Sequence, residues 1–192
     1  MIDTNKIFTV DDIFPHWLQI HIERKASTIP WEWRERVHSP TYTESVLAYN
    51  HHKEGTDPLG LLNLIHDALT IDIIPKTIPN INITGFFGMK WNGTIKGYIP
   101  CVHSDNYDPS HENESQWTVI YFVNDSDGDL LFFDDDQTTE IARCVYKRGR
   151  ACIFPSNIYH RATDPTKNNL RITLAAQYYM HQGPSGINQI HD

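Results

Sequence analysis

The chain has 192 residues, 40% of them hydrophobic and 21% charged, with 8 Phe, 9 Tyr and 5 Trp. That length can bury a substantial core without disulfides or a structural metal, and the composition excludes disorder and low complexity. A formal net charge of −8 disfavours a nucleic-acid partner, because binding to phosphate backbones depends on Lys and Arg.

Cys101, Cys144 and Cys152 form no CxxC pair and are odd in number, which favours free thiols in a reducing, cytoplasmic setting. The amino terminus lacks a basic region followed by an apolar run, and no segment has the length of a membrane span, so a soluble protein without a membrane partner is expected. Without a secretory signal, the N-x-Ser/Thr matches at Asn82, Asn92, Asn113 and Asn124 imply no glycan.

Asp11 and Asp12 are placed to cap a helix running to about Lys25, with Phe14, Trp17, Leu18 and Ile22 near one face. Residues 27 to 56 carry Trp31, Trp33, Pro40 and the His51-His52 pair without clear periodicity and read as irregular, with room for one short strand. Asp57-Pro58 then supplies an N-cap and a proline at the first helical position, opening a helix through Leu59, Leu62, Ile65 and Leu69.

From Ile81 the texture changes to short β-branched and aromatic runs bounded by Gly, Pro, Asn and Asp, the pattern of an antiparallel β architecture. Strands are predicted near 81–90, 96–102, 117–124, 129–133, 141–146, 150–154, 158–162 and 170–180. Eight short strands suit a double-sheet jelly roll, a double-stranded β-helix. The expected organisation is one mainly β domain over 1–192, with a helical amino-terminal support region (1–80) and a jelly-roll core (81–180).

Chemistry concentrates at Cys101-Val-His-Ser-Asp105, followed by His160 and then Arg171. Two imidazoles and one carboxylate can occupy one face of an iron(II) ion and leave the other positions open. His103 and Asp105 are two residues apart and so point the same way on a strand end, and His160 completes the set. Spacing alone is weak, since 11 histidines make a chance HxD unsurprising; His21-x-Glu23 and His52-x-Glu54 satisfy a looser pattern and read as solvated surface pairs. Order separates His103 from them. An alternating strand, a Gly turn, a second strand and a Phe-Pro corner precede His160, and a strand opening with Arg171 follows.

Those segments resemble the iron(II)- and 2-oxoglutarate-dependent oxygenases, most closely the prolyl-hydroxylase-like branch, over about positions 80 to 180. Thr118-Val-Ile-Tyr-Phe-Val-Asn124-Asp125 is similar to the family's strand after the HxD loop. Gly128-Asp-Leu-Leu-Phe-Phe133 is similar to its "GGELxF" strand, with Asp129 where the second Gly would stand. Gly149-Arg-Ala-Cys-Ile-Phe-Pro155 is similar to the strand and corner before the distal histidine, and Arg171 follows His160 at close to the family's interval.

The resemblance implies His103, Asp105 and His160 as iron ligands and catalytic residues. It implies Arg171 as the bidentate clamp on the far carboxylate of 2-oxoglutarate, Thr173 on the same strand face as a hydroxyl partner to that carboxylate, and Tyr98 as a cosubstrate or pocket residue. It further implies Fe(II), 2-oxoglutarate, O2 and ascorbate as an accessory reductant. The reaction would be hydroxylation of a peptide or small-molecule substrate, coupled to decarboxylation of 2-oxoglutarate to succinate. With Asp105 present, hydroxylation is favoured over halogenation.

Trp91, Trp117 and Tyr107 are candidate substrate-wall residues, with simple core packing as the plainer reading. Alternation puts Thr118, Ile120 and Phe122 on one face of their strand and Tyr121 on the other, as packing. The loop from Asp105 to Gln116, with Asp108, Glu112 and Glu114, would suit a cationic peptide or amine, or be merely solvated. Two rival classes stay open: a noncatalytic metal- or sugar-binding jelly roll, which has no use for an inward Arg171, and a zinc-dependent hydrolase, which zinc-dependent turnover would reveal.

Overall fold

Short apolar runs broken by Gly, Pro, Asn and Asp build strands for most of this chain. The computed structural model describes residues 4–39, 42–50, 61–98, 100–105 and 115–182, with 32–39 and 42–50 described through the backbone alone. In chain order the elements are β1 (Phe8–Val10), α1 (His16–Ala26), β2 (Glu32–Ser39), β3 (Tyr42–Asn50), α2 (Leu62–Asp67), α3 (Ile74–Thr77) and β4 (Ile81–Ile95). There follow β5 (Ser115–Phe122), β6 (Leu130–Phe133), β7 (Glu140–Cys144), β8 (Ala151–Pro155), β9 (Tyr159–Ala162) and β10 (Leu170–Gln182). A seven-stranded sheet in the order β1-β8-β5-β10-β4-β3-β2 faces a three-stranded sheet, β7-β6-β9. All pairings are antiparallel. This is the mainly β, two-sheet jelly roll with flanking helices that the strand texture predicts.

Alternation along β10 divides the molecule into two compartments. Ile172, Leu174, Ala176, Tyr178 and Met180 join Trp91, Val119, Tyr121 and Ile153 in a core covered by Leu18 and Ile22 of α1 and by Ile65, Leu69 and Ile74. Phe122, Phe132, Cys152, Phe154, Ile158 and Ala175 fill the space between the sheets. Each fully buried large side chain of this kind contributes about 1.5–3 kcal/mol. One face of the large sheet is thus committed to the helices, and the other is left to the inter-sheet space.

Several sequence expectations give way to longer-range pairing. The region 1–80 is not a purely helical support: β1 pairs with β8, β2 with β3, and β3 with β4 through Leu47↔Gly93 to Asn50↔Lys90. Partners distant in sequence supply those ladders, which the local texture of 27–56 does not announce. No strand forms at 96–102 among the described residues. β4 instead continues unbroken to Ile95, and Gly97, at φ +84°, turns the chain while its N–H donates to Asp164 Oδ1 at 2.7 Å.

The first helix begins at His16 after Pro15, with no side-chain cap. Asp12 has a left-handed φ of +51°, and Asp11 and Asp12 instead pair with Lys147, Asp11 also with Arg150. Trp17 is 69% exposed and leaves the apolar face to Leu18 and Ile22. The Asp57-Pro58 helix start lies outside the described residues; the described helical run covers 62–77, with a π-helical stretch at Ala68–Ile73 between α2 and α3. Pro75 lacks the N–H that an α-helical turn would require there, which accounts for the irregularity beside it. Among the described residues, no helix is long and apolar enough to cross a membrane.

Candidate functional site

The small sheet acquires one more rung from the segment before β5. His103 and His160 exchange backbone hydrogen bonds, His103 N–H to His160 O at 3.0 Å and His160 N–H to His103 O at 2.8 Å. This bridge brings together two histidines 57 positions apart, and Asp105 follows with its N–H donating to Ser156 O at 2.8 Å. The ligand atoms of His103, Asp105 and His160 all lie within 4.8 Å of one another. His103 Nε2 is 3.8 Å from Asp105 Oδ1, and His160 Nε2 is 3.6 Å from Asp105 Oδ2.

Proton placement follows from the outer contacts. His103 Nδ1 meets Cys101 O at 3.1 Å, and His160 Nδ1 meets Ile158 O at 2.9 Å. A carbonyl only accepts, so each Nδ1 carries a hydrogen, and it is Nε2 of each ring that faces the Asp105 carboxylate, where its lone pair is available to a metal. Two lone pairs and an anion converging in a buried space repel one another unless a cation sits among them. The donor set therefore fits a divalent metal, and two imidazoles with one carboxylate fit ferrous iron.

Asp105 is 4% exposed and is held by a hydroxyl relay. Thr118 Oγ1 donates to Asp105 Oδ2 at 3.1 Å and lies 2.8 Å from Ser156 Oγ. Thr118 has one hydroxyl hydrogen, so Ser156 is the donor to Thr118. Gln177 Nε2 also donates to Asp105 O at 3.4 Å. Alternation puts Thr118 and Tyr121 on opposite faces of β5, as expected: Thr118 faces Asp105, and Tyr121 packs in the helix-side core, where it meets Phe14 edge-on at 5.2 Å. The support by Thr118 and Ser156 has no signal in sequence spacing, because it arises from β5 lying beside β8.

The three candidate ligands line a cavity of about 70 Å³ together with Arg171, Thr173 and Ala175 of β10 and Lys90, Asn92 and Thr94 of β4. Register explains the grouping: Arg171, Thr173 and Ala175 stand opposite Thr94, Asn92 and Lys90. Arg171 is 3% exposed. Its Nε donates to Gly128 O at 2.7 Å, and its guanidinium carbon lies 5.5 Å from the Phe122 ring centre and 5.1 Å from that of Tyr146. Those rings are stacked at 4.4 Å. Burial pushes the Arg171 guanidinium below its usual pKa, and its Nη2 is buried with no hydrogen-bond partner. A desolvated cation with an unused donor requires an anion.

Not every candidate joins the site. Tyr98 is half-buried in the loop after β4, its N–H donating to Ile95 O at 3.2 Å, and it is not a cavity-lining residue. Trp91 and Trp117 belong to the helix-side core and not to a substrate wall, because β4 and β5 turn them away from the cavity. Tyr107 and the acidic residues of its loop lie outside the described residues. Lys90, Asn92 and Thr94 escape sequence reasoning altogether; only period-two alternation on a strand predicted to end at 90 could have hinted at them.

Residues 96–180 match the family model described as the 2OG-Fe(II) oxygenase superfamily. No curated protein matches the chain. Among solved structures, an oxidoreductase of the 2OG-Fe(II) oxygenase family from Burkholderia pseudomallei is similar at TM-score 0.65 and 12% identity, covering 94% of this chain and 87% of that one. A Trichoplax adhaerens prolyl hydroxylase in complex with a hypoxia-inducible-factor peptide fragment is similar at TM-score 0.64 and 15% identity, covering 92% and 84%. HygX from Streptomyces hygroscopicus, with nickel and 2-oxoglutarate bound, is similar at 0.63 and 8%, covering 100% and 91%. At these identities the structural likeness is one of fold.

Proposed function

We infer that this 2OG-Fe(II) oxygenase superfamily chain, matched to the family over residues 96–180, hydroxylates a prolyl or other peptidyl residue or a small amino-acid-like substrate. The reaction consumes O2 and converts 2-oxoglutarate to succinate and carbon dioxide. The observation that carries this reading is Arg171, buried at one end of the cavity with an unpartnered Nη2, while three metal-type donors converge in the same cavity. A simple metal-binding jelly roll has no use for such a cation, and a hydrolytic zinc site does not need one.

In this reading His103, Asp105 and His160 hold the iron. Held there with 2-oxoglutarate, ferrous iron would activate O2, the oxidant, so that one oxygen atom enters 2-oxoglutarate as it becomes succinate and carbon dioxide and the other enters an unactivated C–H bond. The chain supplies orientation and exclusion. Cys101 O and Ile158 O keep the two imidazoles in the tautomer that leaves Nε2 available, and the Ser156–Thr118 relay favours ionised Asp105. Arg171 takes the far carboxylate of 2-oxoglutarate, with the Thr173 hydroxyl beside it on the same face. Phe122 and Tyr146 keep water from that end. Tyr98 has at most an indirect role, shaping the loop that leads to His103. The one-domain reading is supported by β1, β2 and β3 of the amino-terminal part, which are strands of the large sheet.

The test is anaerobic titration of the iron-loaded protein with 2-oxoglutarate, followed by visible absorption, and then mass spectrometry of candidate peptides and amino acids with ascorbate present. The reading expects a charge-transfer band, succinate, and an oxygen-dependent gain of one oxygen atom. Arg171→Lys should weaken the cosubstrate about ten- to a hundredfold, because a point charge replaces a two-pronged donor. His103→Ala and His160→Ala should each abolish succinate formation. Absence of the band together with full metal binding would overturn the reading.

A further inference from the structure

Arg171 is the second residue of β10, which begins at Leu170. It therefore stands at a strand end, where ladders open first, although it is buried and its Nη2 has no partner. A desolvated cation in that position gains by turning out to water unless the backbone beneath it is held. On one side β4 holds it, with Thr94 opposite. On the other side the paired register with β5 stops at Thr173↔Phe122, two residues short of Arg171.

Asn124 takes over where that register stops. Val123 N–H donates to Ile172 O at 3.0 Å, and Ile172 N–H donates in return to Asn124 Oδ1 at 2.8 Å. Asn124 Nδ2 donates to Leu170 O, also at 2.8 Å. One carboxamide thus engages the residue before Arg171 and the residue after it, with a donor and an acceptor as a peptide group would. Its orientation is set by its partners, because an N–H only donates and a carbonyl only accepts. Tyr146 Oη, which donates to Ile172 O at 2.7 Å, lies 3.0 Å from the same Asn124 Oδ1.

The turn that follows Asn124 is anchored as well. Asn168 Nδ2 donates to Asp125 O, Asp127 Oδ1 accepts the N–H groups of Thr166 and Lys167 at 2.9 and 3.0 Å, and Gly128 O accepts Arg171 Nε–H at 2.7 Å. Residues 124 to 128 therefore grip Arg171 at two levels. Gly128 fixes the stem of the side chain, and Asn124 fixes the strand from which the stem springs.

We propose that Asn124 is a positioning residue for the cosubstrate, its amide clamping β10 on either side of Arg171 so that the guanidinium is already aimed when the far carboxylate of 2-oxoglutarate arrives. This rests on the oxygenase reading above. A two-pronged guanidinium–carboxylate pair depends on the angle of the fork as well as on charge. A loose strand end would have to be ordered on binding, and that cost would appear in the affinity. Asn124 is not a cavity-lining residue, so its effect is confined to ligands that reach Arg171.

The experiment uses the full chain loaded with Ni(II), with binding read by calorimetry and metal affinity by chelator competition. The ligands are 2-oxoglutarate and oxalate, a metal-chelating anion with no distal carboxylate. The proteins are wild type, Asn124→Leu, which keeps the size and loses both hydrogen bonds, and Asn124→Ser, a polar turn residue too short to span both contacts. Each variant should bind 2-oxoglutarate about tenfold more weakly than wild type, while affinity for Ni(II) and for oxalate stays within about twofold. In an Arg171→Met background, Asn124→Leu should bring no further loss, because the clamp acts through the guanidinium. Unchanged 2-oxoglutarate affinity in the single variants would overturn the proposal, as would the same tenfold loss in the Arg171→Met background. Equal loss for oxalate or for Ni(II), or failure of both variants to fold, would also overturn it, by making Asn124 a residue of the fold at large. If wild type itself fails to bind 2-oxoglutarate, the oxygenase reading has failed, and the two failures are thereby told apart.

Discussion

Gly128 and Arg171 are interlocked: the Gly128 carbonyl accepts the Arg171 Nε–H at 2.7 Å, and a Cβ at position 128 would stand 2.7 Å from Arg171 Cδ and 2.8 Å from Thr163 O. Glycine is needed at 128 because a backbone oxygen and a buried stem already occupy the space of a side chain. The same contact fixes the direction from which the guanidinium enters the cavity.

Gly128→Ala should therefore act on the cosubstrate and spare the metal. The displaced Arg171 stem should weaken 2-oxoglutarate binding about tenfold, with stability reduced by about 1–3 kcal/mol from overpacking. Calorimetry with 2-oxoglutarate and a separate metal titration check this. Equal loss of metal affinity would contradict it.

Thr118→Val should do the reverse. It keeps the shape of the side chain and removes the hydroxyl that donates to Asp105 Oδ2, so metal affinity should fall about ten- to a hundredfold, as for other outer partners of ligating groups. Competition with a chromophoric chelator measures it. An unchanged metal affinity would mean that the relay from Ser156 has no part in holding Asp105.

Asp129, which stands where the resembling family motif has a second glycine, has its own structural work. Its Oδ1 accepts the Tyr146 N–H at 2.8 Å and its Oδ2 pairs with Arg143 at 3.3 Å. Tyr146 in turn donates to Ile172 O at 2.7 Å and lies under Arg171. Asp129→Gly should cost about 1–2 kcal/mol, from the lost hydrogen bond and the added backbone freedom. Thermal unfolding of the two proteins tests it.

Asp11 ties the segment after β1 to the large sheet. The Arg150 guanidinium, through a direct hydrogen bond, holds its carboxyl down at about 2; burial opposes it, and Lys147 adds a smaller lowering contribution. A depressed carboxyl contributes stability that is present above its unfolded value, near 4, and is lost as pH falls through its folded value. Wild type should therefore be more stable than Asp11→Asn at neutral pH, with the gap closing between about pH 4 and pH 2. Asp11 is 41% exposed at its side chain, so solvent screening keeps the gap below about 1 kcal/mol. Denaturant titrations across that range check it, and a gap that widened on acidification would reverse the assignment.

Much of the site is legible in the primary sequence because its grammar is local. His103 and Asp105 share a side through a two-residue spacing, Arg171 and Thr173 share a face of β10 by the same period, and the β texture after Ile81 implies two sheets. Those features need no knowledge of what lies across the fold. What gave way has the opposite character. The two strands of 27–56 exist because β4 offers them an edge, and for Trp91 and Trp117 it is the plainer reading, core packing, that holds, because alternation on β4 and β5 turns them to the helices.

Only the tertiary structure decides the rest. His103 meets His160 through a backbone bridge across 57 positions, Ser156 reaches Asp105 through Thr118 on a neighbouring strand, and Lys90 lines the same cavity because of its register with Ala175. Strand register depends on pairing between segments far apart in the chain, and a shift of one residue turns every side chain to the other face. Residue types and short spacings therefore set which chemistry is available, while long-range register determines which side chains share its cavity.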